Sequence, residues 1–474
     1  MGWHDASFVL DAPAGDVGSH AVHQFTADSE RLAQQIVSAS LDRMRMEPPL
    51  DGPRTADELL AQCGQTITAD GLGGSEALRL WTDVLAQACI SVDHPRFLAF
   101  IPGAPTEAST IFDLLVSASS VYAGTWLEGA GAAFAENQAL RWVADLAGLP
   151  PPAGGTFVQG GSGGNLSALV AARHTAAQRR GSRWPRRWAA LVTDETHSSV
   201  TYALERVMDV EVVRVPGDER GRMTGAKLRA SIESLSGEQR DSLFAVVATA
   251  GSTNTGIVDD LAGIADVADE HGLWMHVDGA YGGAGLAAPS ARHLFHGIER
   301  ADSFIVDPHK WLFAPFDSCA LLYRDPDLAR RAHTQSAAYL DTVTEVDDWN
   351  PSDYAVHLTR RARGLPFWFS LATHGTQAYQ AAVETTLDVA RAGAEEIRRR
   401  GYLRLLEEPD LSVLIFARQG WEQADYERWS AALLARGTAF VTPTRHRGQP
   451  CTRVAVVNPR TTVADLRGIF ATMA

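Results

Sequence analysis

The sequence has few cysteines, no long apolar run and no excess of basic residues. Its four cysteines, Cys63, Cys89, Cys319 and Cys451, stand far apart without a CxxC pair, which argues against a disulfide framework and against a metal site built on cysteine. No stretch approaches the roughly 20 apolar residues that span a bilayer. The first residues also lack the basic region and apolar run of a signal peptide. We therefore expect a cytoplasmic protein with no membrane contact and no metal.

The net charge of the 474 residues is −15 at pH 7, which disfavours nucleic acids and anionic membranes as partners. Hydrophobic residues make up 45% of the chain, a share within the globular range. A chain of this length can bury a sizeable core. Composition thus favours a large soluble enzyme but does not indicate its reaction, for which the sequence motifs are needed.

A short motif, Asp307–Trp311 (DPHKW), places Lys310 beside His309 directly after the strand-like residues 303–306. Pyridoxal phosphate condenses with a lysine amine to give an imine, and this requires a lysine that is reachable, partly desolvated and unpaired with a strong acid. Taken alone, such a lysine is more often a plain turn residue. Lys310 is nevertheless a candidate for the covalent anchor of that cofactor.

A second motif, Asp278–Gly283 (DGAYGG), follows the strand-like residues 273–277. An aspartate against the pyridine nitrogen keeps that nitrogen protonated, which makes the ring an electron sink for a carbanion at Cα. Asp278 fits this role. The small Ala280, two residues further along the extended chain, points to the same side and can pack flat on the ring face. Together the two motifs predict a pyridoxal phosphate site.

Two further elements also follow strands. His197 stands at a strand-to-helix turn after residues 188–192, where a histidine can stack on the other ring face and serve the substrate carboxylate or a proton transfer. Residues 159–165 (QGGSGGN) open a helix after residues 156–158, and free backbone N–H groups in such a turn suit an anionic phosphate. The turn matches neither the dinucleotide nor the phosphate-loop fingerprint. Each of these four elements, taken alone, could have a purely structural role. Because all four follow strands, and ligands in open α/β sheets bind at that edge, together they favour a binding site.

These motifs resemble the group II pyridoxal phosphate-dependent amino acid decarboxylases, which include aromatic-L-amino-acid, glutamate and histidine decarboxylases. The resemblance covers most of the chain and rests on both motifs and on His94–Phe97, Phe100–Pro102, Gly160–Ala168, Thr193–Ser199, Ala248–Gly256, Leu358–Leu365 and Phe367–Phe369. It implies an α/β enzyme of fold type I, with a mostly parallel sheet flanked by helices. It also implies an amino acid substrate and a homodimer with active sites at the interface.

Carried over position by position, the resemblance implies that Lys310 is the cofactor-binding lysine, that Asp278 is the partner of the pyridine nitrogen and that His197 stacks on the ring. It implies that Thr249 also lies near the ring. The remaining cofactor-binding positions are Gly161, Ser162, Ala280, Asp307 and His309.

Asp307 departs from many relatives, which have asparagine at this position. An acid beside a dianionic phosphate would repel it unless the side chain turns away or caps a turn. We therefore expect Ser162, rather than the side chain of Asp307, to bind the phosphate.

The loop before Leu358 is the second departure. Relatives carry there a tyrosine thought to protonate Cα after carbon dioxide leaves, and relatives without it tend to form aldehydes by oxidation. Residues 340–353 contain no tyrosine. The proton donor is therefore open between Trp349 and the tyrosines at the margins, Tyr339 and Tyr354.

The substrate is indicated only by the region around Phe100, Pro102 and Gly103, which matches positions that shape the family's substrate pocket. Together with Phe97 and Ile101 it is apolar and favours aromatic amino acids, although such residues are equally often plain core. Many aromatic-specific relatives carry a hydroxyl residue where this chain has Gly103.

The chain is expected to form three regions. Residues 1–90 make a mainly helical segment that packs across the dimer partner in the family, residues 91–371 a large α/β domain that binds the cofactor, and residues 372–474 a small α+β domain. The predicted reaction is decarboxylation of an L-amino acid to the amine. The alternatives are an aldehyde synthase or another pyridoxal phosphate lyase, and a non-catalytic homologue acting as a binding or scaffold subunit. The retention of Lys310, Asp278 and His197 together argues against the non-catalytic homologue.

Overall fold

The computed structural model describes residues 21–182, 184–335 and 348–474. Contacts divide the chain into two compact units. The first comprises the described residues up to Pro48 together with Gly52–Cys89, and the second comprises Pro49–Asp51 and Ile90–Ala474. The expected division of the second unit near residue 372 stays a prediction.

The first unit is helical. Thr26 and Thr55 begin its first two helices, because each side chain accepts a hydrogen bond from the backbone N–H three residues on and the reciprocal bond is also made. The helices are α1 (Ala27–Arg45), α2 (Ala56–Cys63) and α3 (Gly74–Leu80). None of the 19 residues of α1 is buried, and Ile36 and Val37 are exposed. Such a helix depends on packing against another surface for its stability.

The second unit is built on a seven-stranded sheet. Its strands are β1 (Gly154–Val158), β2 (Ala189–Val192), β3 (Glu211–Arg214), β4 (Leu243–Thr249), β5 (Trp274–Asp278), β6 (Ser303–Val306) and β7 (Cys319–Tyr323), in the order β1-β7-β6-β5-β4-β2-β3. Strands β2 to β6 pair in parallel, and β7 runs antiparallel to both of its neighbours. The prediction of a mostly parallel sheet is confirmed.

Helices cover both faces of this sheet. They are α4 (Glu107–Ser119), α5 (Trp126–Leu146), α6 (Gly161–Arg180), α7 (Ser198–Tyr202), α8 (Gly225–Ser234), α9 (Gly237–Ser242), α10 (Leu261–His271), α11 (Pro308–Trp311), α12 (Pro326–His333) and α13 (Leu365–His374). Successive side chains of a strand point to opposite faces. Met275 and Val277 of β5 therefore belong to one hydrophobic core, whereas Trp274 belongs to the core on the other face.

A second, antiparallel sheet has four strands in the order β10-β11-β9-β8. Its strands are β8 (Leu403–Leu405), β9 (Val413–Arg418), β10 (Thr442–His446) and β11 (Gln449–Ala455), and the helices of this region are α14 (Thr376–Arg398), α15 (Gln423–Ala435) and α16 (Val463–Ala471). Among the described residues, no helix combines the length and the apolar composition that crossing a bilayer requires. The same residues contain no group of three or more histidine, cysteine or acidic side chains placed to hold a metal ion.

A buried ion pair joins α5 to the segment before α13. Arg360 donates to both carboxylate oxygens of Glu136, at 2.7 and 2.9 Å, and the two side chains are only 1% and 3% exposed. The same guanidinium donates to the carbonyls of Ala123 and Phe157, and Glu136 accepts from the N–H of Gly364. The pair thereby holds the carboxyl end of β1, from which the glycine-rich turn continues.

Candidate active site

A cavity of about 500 Å³ opens at the carboxyl ends of β1, β4, β5 and β6. These strands run in one direction, because β1 and β6 are both antiparallel to β7. The structure brings together at this cavity all the residues that the sequence predicts to bind the cofactor, namely Gly161, Ser162, His197, Thr249, Asp278, Ala280, Asp307, His309 and Lys310. They are distant in the chain and meet because the strand ends meet.

Lys310 lies on α11, in the first turn after β6, and its Nζ is 2.9 Å from Oδ2 of Asp307. The lysine side chain is 25% exposed and that of Asp307 is 1% exposed. Burial lowers the pKa of Lys310, but the Asp307 carboxylate outweighs it and the net pKa is raised. Burial likewise raises the pKa of Asp307, and the charges of Lys310 and His309 bring it below its ordinary value. The expectation of a lysine without an acidic partner is wrong, because one helical turn brings the two side chains together.

The glycine-rich turn at the start of α6 is open to an anionic group. Gly160, the N-cap of α6, supplies no capping side chain, and the N–H groups of Gly163 and Gly164 donate to its carbonyl, which leaves those of Gly161 and Ser162 for a bound group. A Cβ on Gly161 would lie 3.1 Å from Oδ2 of Asp307 and 3.2 Å from Cβ of Ala280, so glycine is what permits this close approach. Ser162 adds a hydroxyl at the same place on the cavity wall. The turn and Ser162 fit a phosphate group. The nearby Asp307 side chain does not cap α11 and is instead paired with Lys310, which offsets its charge.

Thr249, the last residue of β4, provides a second test of the fit. Its Oγ1 is buried and has no hydrogen-bond partner in the described part of the chain. A buried hydroxyl that is unpaired within the protein calls for a partner from elsewhere. Because Thr249 lines the cavity beside Asp278, a polar substituent on a bound cofactor ring would supply one.

Asp278 ends β5 and is buried, with both carboxylate oxygens engaged. Oδ1 accepts from the N–H of Ala280 at 3.1 Å, and Oδ2 accepts from Nδ2 of Asn165 at 2.9 Å. Asn165 lies on the second turn of α6 and also lines the cavity. Sequence reasoning missed its role. The available signal was a polar residue on the buried side of a helix that faces the sheet.

His197 is the N-cap of α7 and is exposed on the cavity wall. Its Nδ1 accepts from the N–H of Ser199 at 3.2 Å and lies 2.8 Å from the hydroxyl of the same serine. Because Nδ1 accepts, the proton of the neutral ring resides on Nε2. The imidazole can therefore donate a hydrogen bond through Nε2.

Of the three predicted substrate-pocket residues, Phe100 lines the cavity, together with its neighbour Ile101. Pro102 and Gly103 are buried and are not part of the lining. A Cβ on Gly103 would lie 2.3 Å from the carbonyl oxygen of His309, so this backbone leaves no room for a side chain there. Pro102 and Gly103 support the wall rather than face the cavity.

Two cavity residues lie beyond the DPHKW motif and were not predicted. Phe316 is 56% exposed and Phe100 is 59% exposed, so two aromatic side chains stand open at the cavity. Asp317 forms an ion pair with Arg363, which belongs to the arginine-rich segment before α13. The link from α11 to β7 thus forms part of the site.

Two of the three candidate proton donors lie away from the cavity. Trp349 and Tyr354 stack on each other with ring centroids 4.2 Å apart, and neither lines the cavity. Trp349 packs on Gly154 at the start of β1, where a Cβ would meet its ring at 2.5 Å. This is one strand length, roughly 13 Å, from the carboxyl end of β1. Tyr339 lies outside the described residues, as does most of the loop.

The chain is similar to known proteins over most of its length, including all the residues that line the cavity. Residues 77–419 match the model of the pyridoxal-dependent decarboxylase conserved domain. The aromatic-L-amino-acid decarboxylase of Bacillus atrophaeus is 29% identical over 461 residues, which cover 94% of this chain and 95% of that protein. The L-2,4-diaminobutyrate decarboxylase of Rhizobium meliloti (strain 1021) is 33% identical over 381 residues, 78% of this chain and 75% of that protein.

The solved structures agree with the fold. The crystal structure of Oryza sativa TDC with PLP and tryptamine matches with a TM-score of 0.87 at 23% identity, covering 95% of this chain and 98% of that one. The range matched by the family model contains every residue that lines the cavity.

Proposed function

Since the chain belongs to the pyridoxal-dependent decarboxylase family, we propose that it converts an aromatic L-amino acid to the corresponding amine and carbon dioxide. Membership of the family makes it a carboxy-lyase with pyridoxal phosphate as cofactor. The observation that carries the substrate proposal is the pair of exposed rings at the cavity, Phe100 and Phe316. Two such rings suit a flat, apolar side chain on the substrate.

Each residue of the cavity would bind or orient a different part of the cofactor or substrate. Lys310 would hold the cofactor covalently, Asp278 would pair with the ring nitrogen, and the start of α6 with Ser162 would bind the phosphate. Thr249 would bind a ring substituent, and His197 would face the ring and the substrate carboxylate through Nε2. When bound, pyridoxal phosphate takes up the electron pair that carbon dioxide leaves behind.

The amine product requires a proton at Cα, and Lys310 is the acid that the cavity geometry favours. When its Nζ is not bound to the cofactor, Lys310 would be within reach of Asp307, since the two groups are 2.9 Å apart in the structure. That carboxylate stabilises the ammonium form, which is the form that can donate a proton. Lys310 would then replace the tyrosine that residues 340–353 lack.

A second candidate function is an aldehyde synthase. It is supported by the absence of tyrosine from residues 340–353 and by the position of Trp349 and Tyr354 outside the cavity lining. In that reaction the amino acid, oxygen and water are consumed, and the aldehyde, carbon dioxide, ammonia and hydrogen peroxide are released. The two functions therefore differ in products that can be measured directly.

The test is a product assay on the purified protein loaded with cofactor. Carbon dioxide, amine, aldehyde and peroxide are followed together for a panel of aromatic, basic and acidic L-amino acids. We expect carbon dioxide and amine in equal amounts, with the highest kcat/KM for an aromatic substrate. Preference for a basic or acidic amino acid would contradict the substrate proposal, and equal amounts of aldehyde and peroxide would favour the second function.

We also propose that the protein is a homodimer in which residues 1–90 pack across the partner. Support comes from α1, which buries none of its residues and exposes Ile36 and Val37. Leu114 and Leu115 on α4 are exposed as well. Exposed apolar side chains of this kind commonly mark protein interfaces.

Replacing Leu114 and Leu115 together with aspartate should weaken the dimer by more than about tenfold, because two charges would enter an apolar interface. Light scattering across a dilution series measures this, with Trp184→Asp, a change at an exposed apolar residue elsewhere in the chain, as the control. A wild-type protein that is monomeric at all concentrations, or a double variant that dimerises like the wild type, would contradict the proposal.

A further inference from the structure

One face of β5 carries three side chains with polar groups, in a sheet whose buried positions are mostly apolar. Trp274, His276 and Asp278 alternate along the strand and so point to the same face, towards α6. Both His276 and Ser303, its register partner on β6, are buried. Polar groups are retained in such a place only when hydrogen bonds satisfy them.

These groups form one continuous series of hydrogen bonds that ends at Asp278. Nε1 of Trp274 donates to Oγ of Ser303 at 2.8 Å, and that hydroxyl lies 2.8 Å from Nδ1 of His276. Nε2 of His276 lies 2.8 Å from Oδ1 of Asn165. Nδ2 of Asn165 donates to Oδ2 of Asp278 at 2.9 Å.

The carboxylate end sets the direction of the bonds around Asn165. An ionised carboxylate can only accept, so Nδ2 of Asn165 donates to Asp278 and Oδ1 of Asn165 accepts the proton that Nε2 of His276 carries. Burial favours the neutral form of His276, because it lowers the pKa of this histidine although the charge of Asp278 opposes the shift. In the neutral ring Nδ1 accepts, so the hydroxyl of Ser303 donates to it.

Asn165 connects this series to the second residue that faces the ring. Its Nδ2 also donates to the hydroxyl of Ser199 at 3.2 Å, and Ser199 in turn contacts Nδ1 of His197. The one amide group thus orients both Asp278 and the turn that carries His197. Its own orientation is set by His276, because Oδ1 of Asn165 must face the histidine N–H.

We propose that Trp274, Ser303, His276 and Asn165 form a relay that positions the Asp278 carboxylate for the ring nitrogen of pyridoxal phosphate. The inference rests on the role proposed for Asp278. With Oδ1 held by the N–H of Ala280 and Oδ2 by Asn165, the carboxylate cannot rotate without breaking a bond. Hydrogen bonds in series also polarise one another, so the whole relay strengthens the contact at Asp278. These four are positioning residues, since they act through Asp278.

The test compares two ligands that differ only at the ring nitrogen. The dissociation constant of the apoenzyme is measured for pyridoxal phosphate and for its deaza analogue, in which C–H replaces the nitrogen. Asn165→Leu and His276→Leu should weaken the binding of pyridoxal phosphate by about tenfold or more, the effect of losing a hydrogen bond to a charged group. Binding of the deaza analogue should change much less, because it makes no such contact.

Conservative variants distinguish the loss of hydrogen bonds in the relay from the loss of side-chain packing. His276→Gln keeps an N–H near the position of Nε2 and should retain most of the preference for pyridoxal phosphate over the analogue. Trp274→Phe removes only the first donor and should have a smaller effect than His276→Leu. If His276→Leu does not fold, Ser303→Ala interrupts the same series with the loss of one hydroxyl.

His333 supplies the matched control. It is buried and lies 3.0 Å from the carbonyl of Ser167 on α6, and in the described part of the chain no hydrogen bond joins it to the relay. His333→Leu should change both dissociation constants by the same factor. The inference fails if Asn165→Leu and His276→Leu weaken the binding of both ligands by the same factor while Asp278→Asn weakens the binding of pyridoxal phosphate more than that of the analogue. If Asp278→Asn weakens the binding of both ligands by the same factor, the role proposed for Asp278 is itself wrong.

Discussion

Replacing Lys310 with alanine should abolish the visible absorbance of the imine between the lysine and the cofactor and lower turnover by roughly 10³- to 10⁴-fold. The variant loses the amine that anchors the cofactor and the acid that Asp307 holds 2.9 Å away. Pyridoxal phosphate should still bind, although more weakly, because the start of α6 and Asp278 are unchanged. Absorbance spectra and product assays on the reconstituted variant measure the two effects.

The chain offers a simple control, because its 474 residues include only two lysines, Lys227 and Lys310. Lys227 is exposed in the first turn of α8, so Lys227→Ala should leave the spectrum and the turnover unchanged. Borohydride reduction of the wild type, followed by digestion and mass spectrometry, should locate the cofactor on Lys310. A label on Lys227, or visible absorbance retained by Lys310→Ala, would show that the anchor is assigned wrongly.

Replacing Arg360 with methionine should lower the free energy of unfolding by about 3–5 kcal/mol, because Glu136 would stay buried as an unpaired carboxylate. The loss would be large beside the total stability of a domain. It should also weaken cofactor binding, because Arg360 bonds to the carbonyl of Phe157 just before the glycine-rich turn. The shift in the urea unfolding midpoint, measured with and without cofactor, tests both expectations.

The neighbouring Arg361 provides the matched control for this prediction. It pairs with Asp113 at 2.6 Å, but both side chains are partly exposed, so Arg361→Met should cost no more than about 1 kcal/mol. The double variant Arg360→Met with Glu136→Leu should recover much of the lost stability, since it removes both buried charges. Equal losses in Arg360→Met and Arg361→Met would contradict the importance assigned to the buried pair.

Local patterns were sufficient to predict the parts of the site that follow directly from strands. Lys310 and Asp278 each come directly after a short apolar strand, and parallel strands bring their carboxyl ends to one edge. The glycine-rich turn is predictable for the same reason, whereas Thr249 was expected only from the resemblance to the decarboxylase family. The alternation of strands and helices likewise predicted the mostly parallel sheet.

Contacts between distant residues could not be read from the same patterns. The motif did not reveal that Asp307 turns towards Lys310, and the run Phe100 to Gly103 did not reveal which of its side chains face the cavity. Phe316 and Asp317 carry no local signal, since their position depends on how the link to β7 folds back. Nothing near Trp349 or Tyr354 in the sequence indicates that the two rings stack at the far end of β1.

The sequence by itself determined the family, the cofactor and the residues that meet at the strand ends, because short motifs encode backbone turns and reactive groups locally. Only the tertiary structure decided how those groups are held. Asn165 reaches Asp278 across 113 positions and Arg360 reaches Glu136 across 224. The hydrogen bonds of the relay and the buried ion pair both join side chains of different layers of the fold. These partners meet, and are shielded from water, only when the layers have packed together.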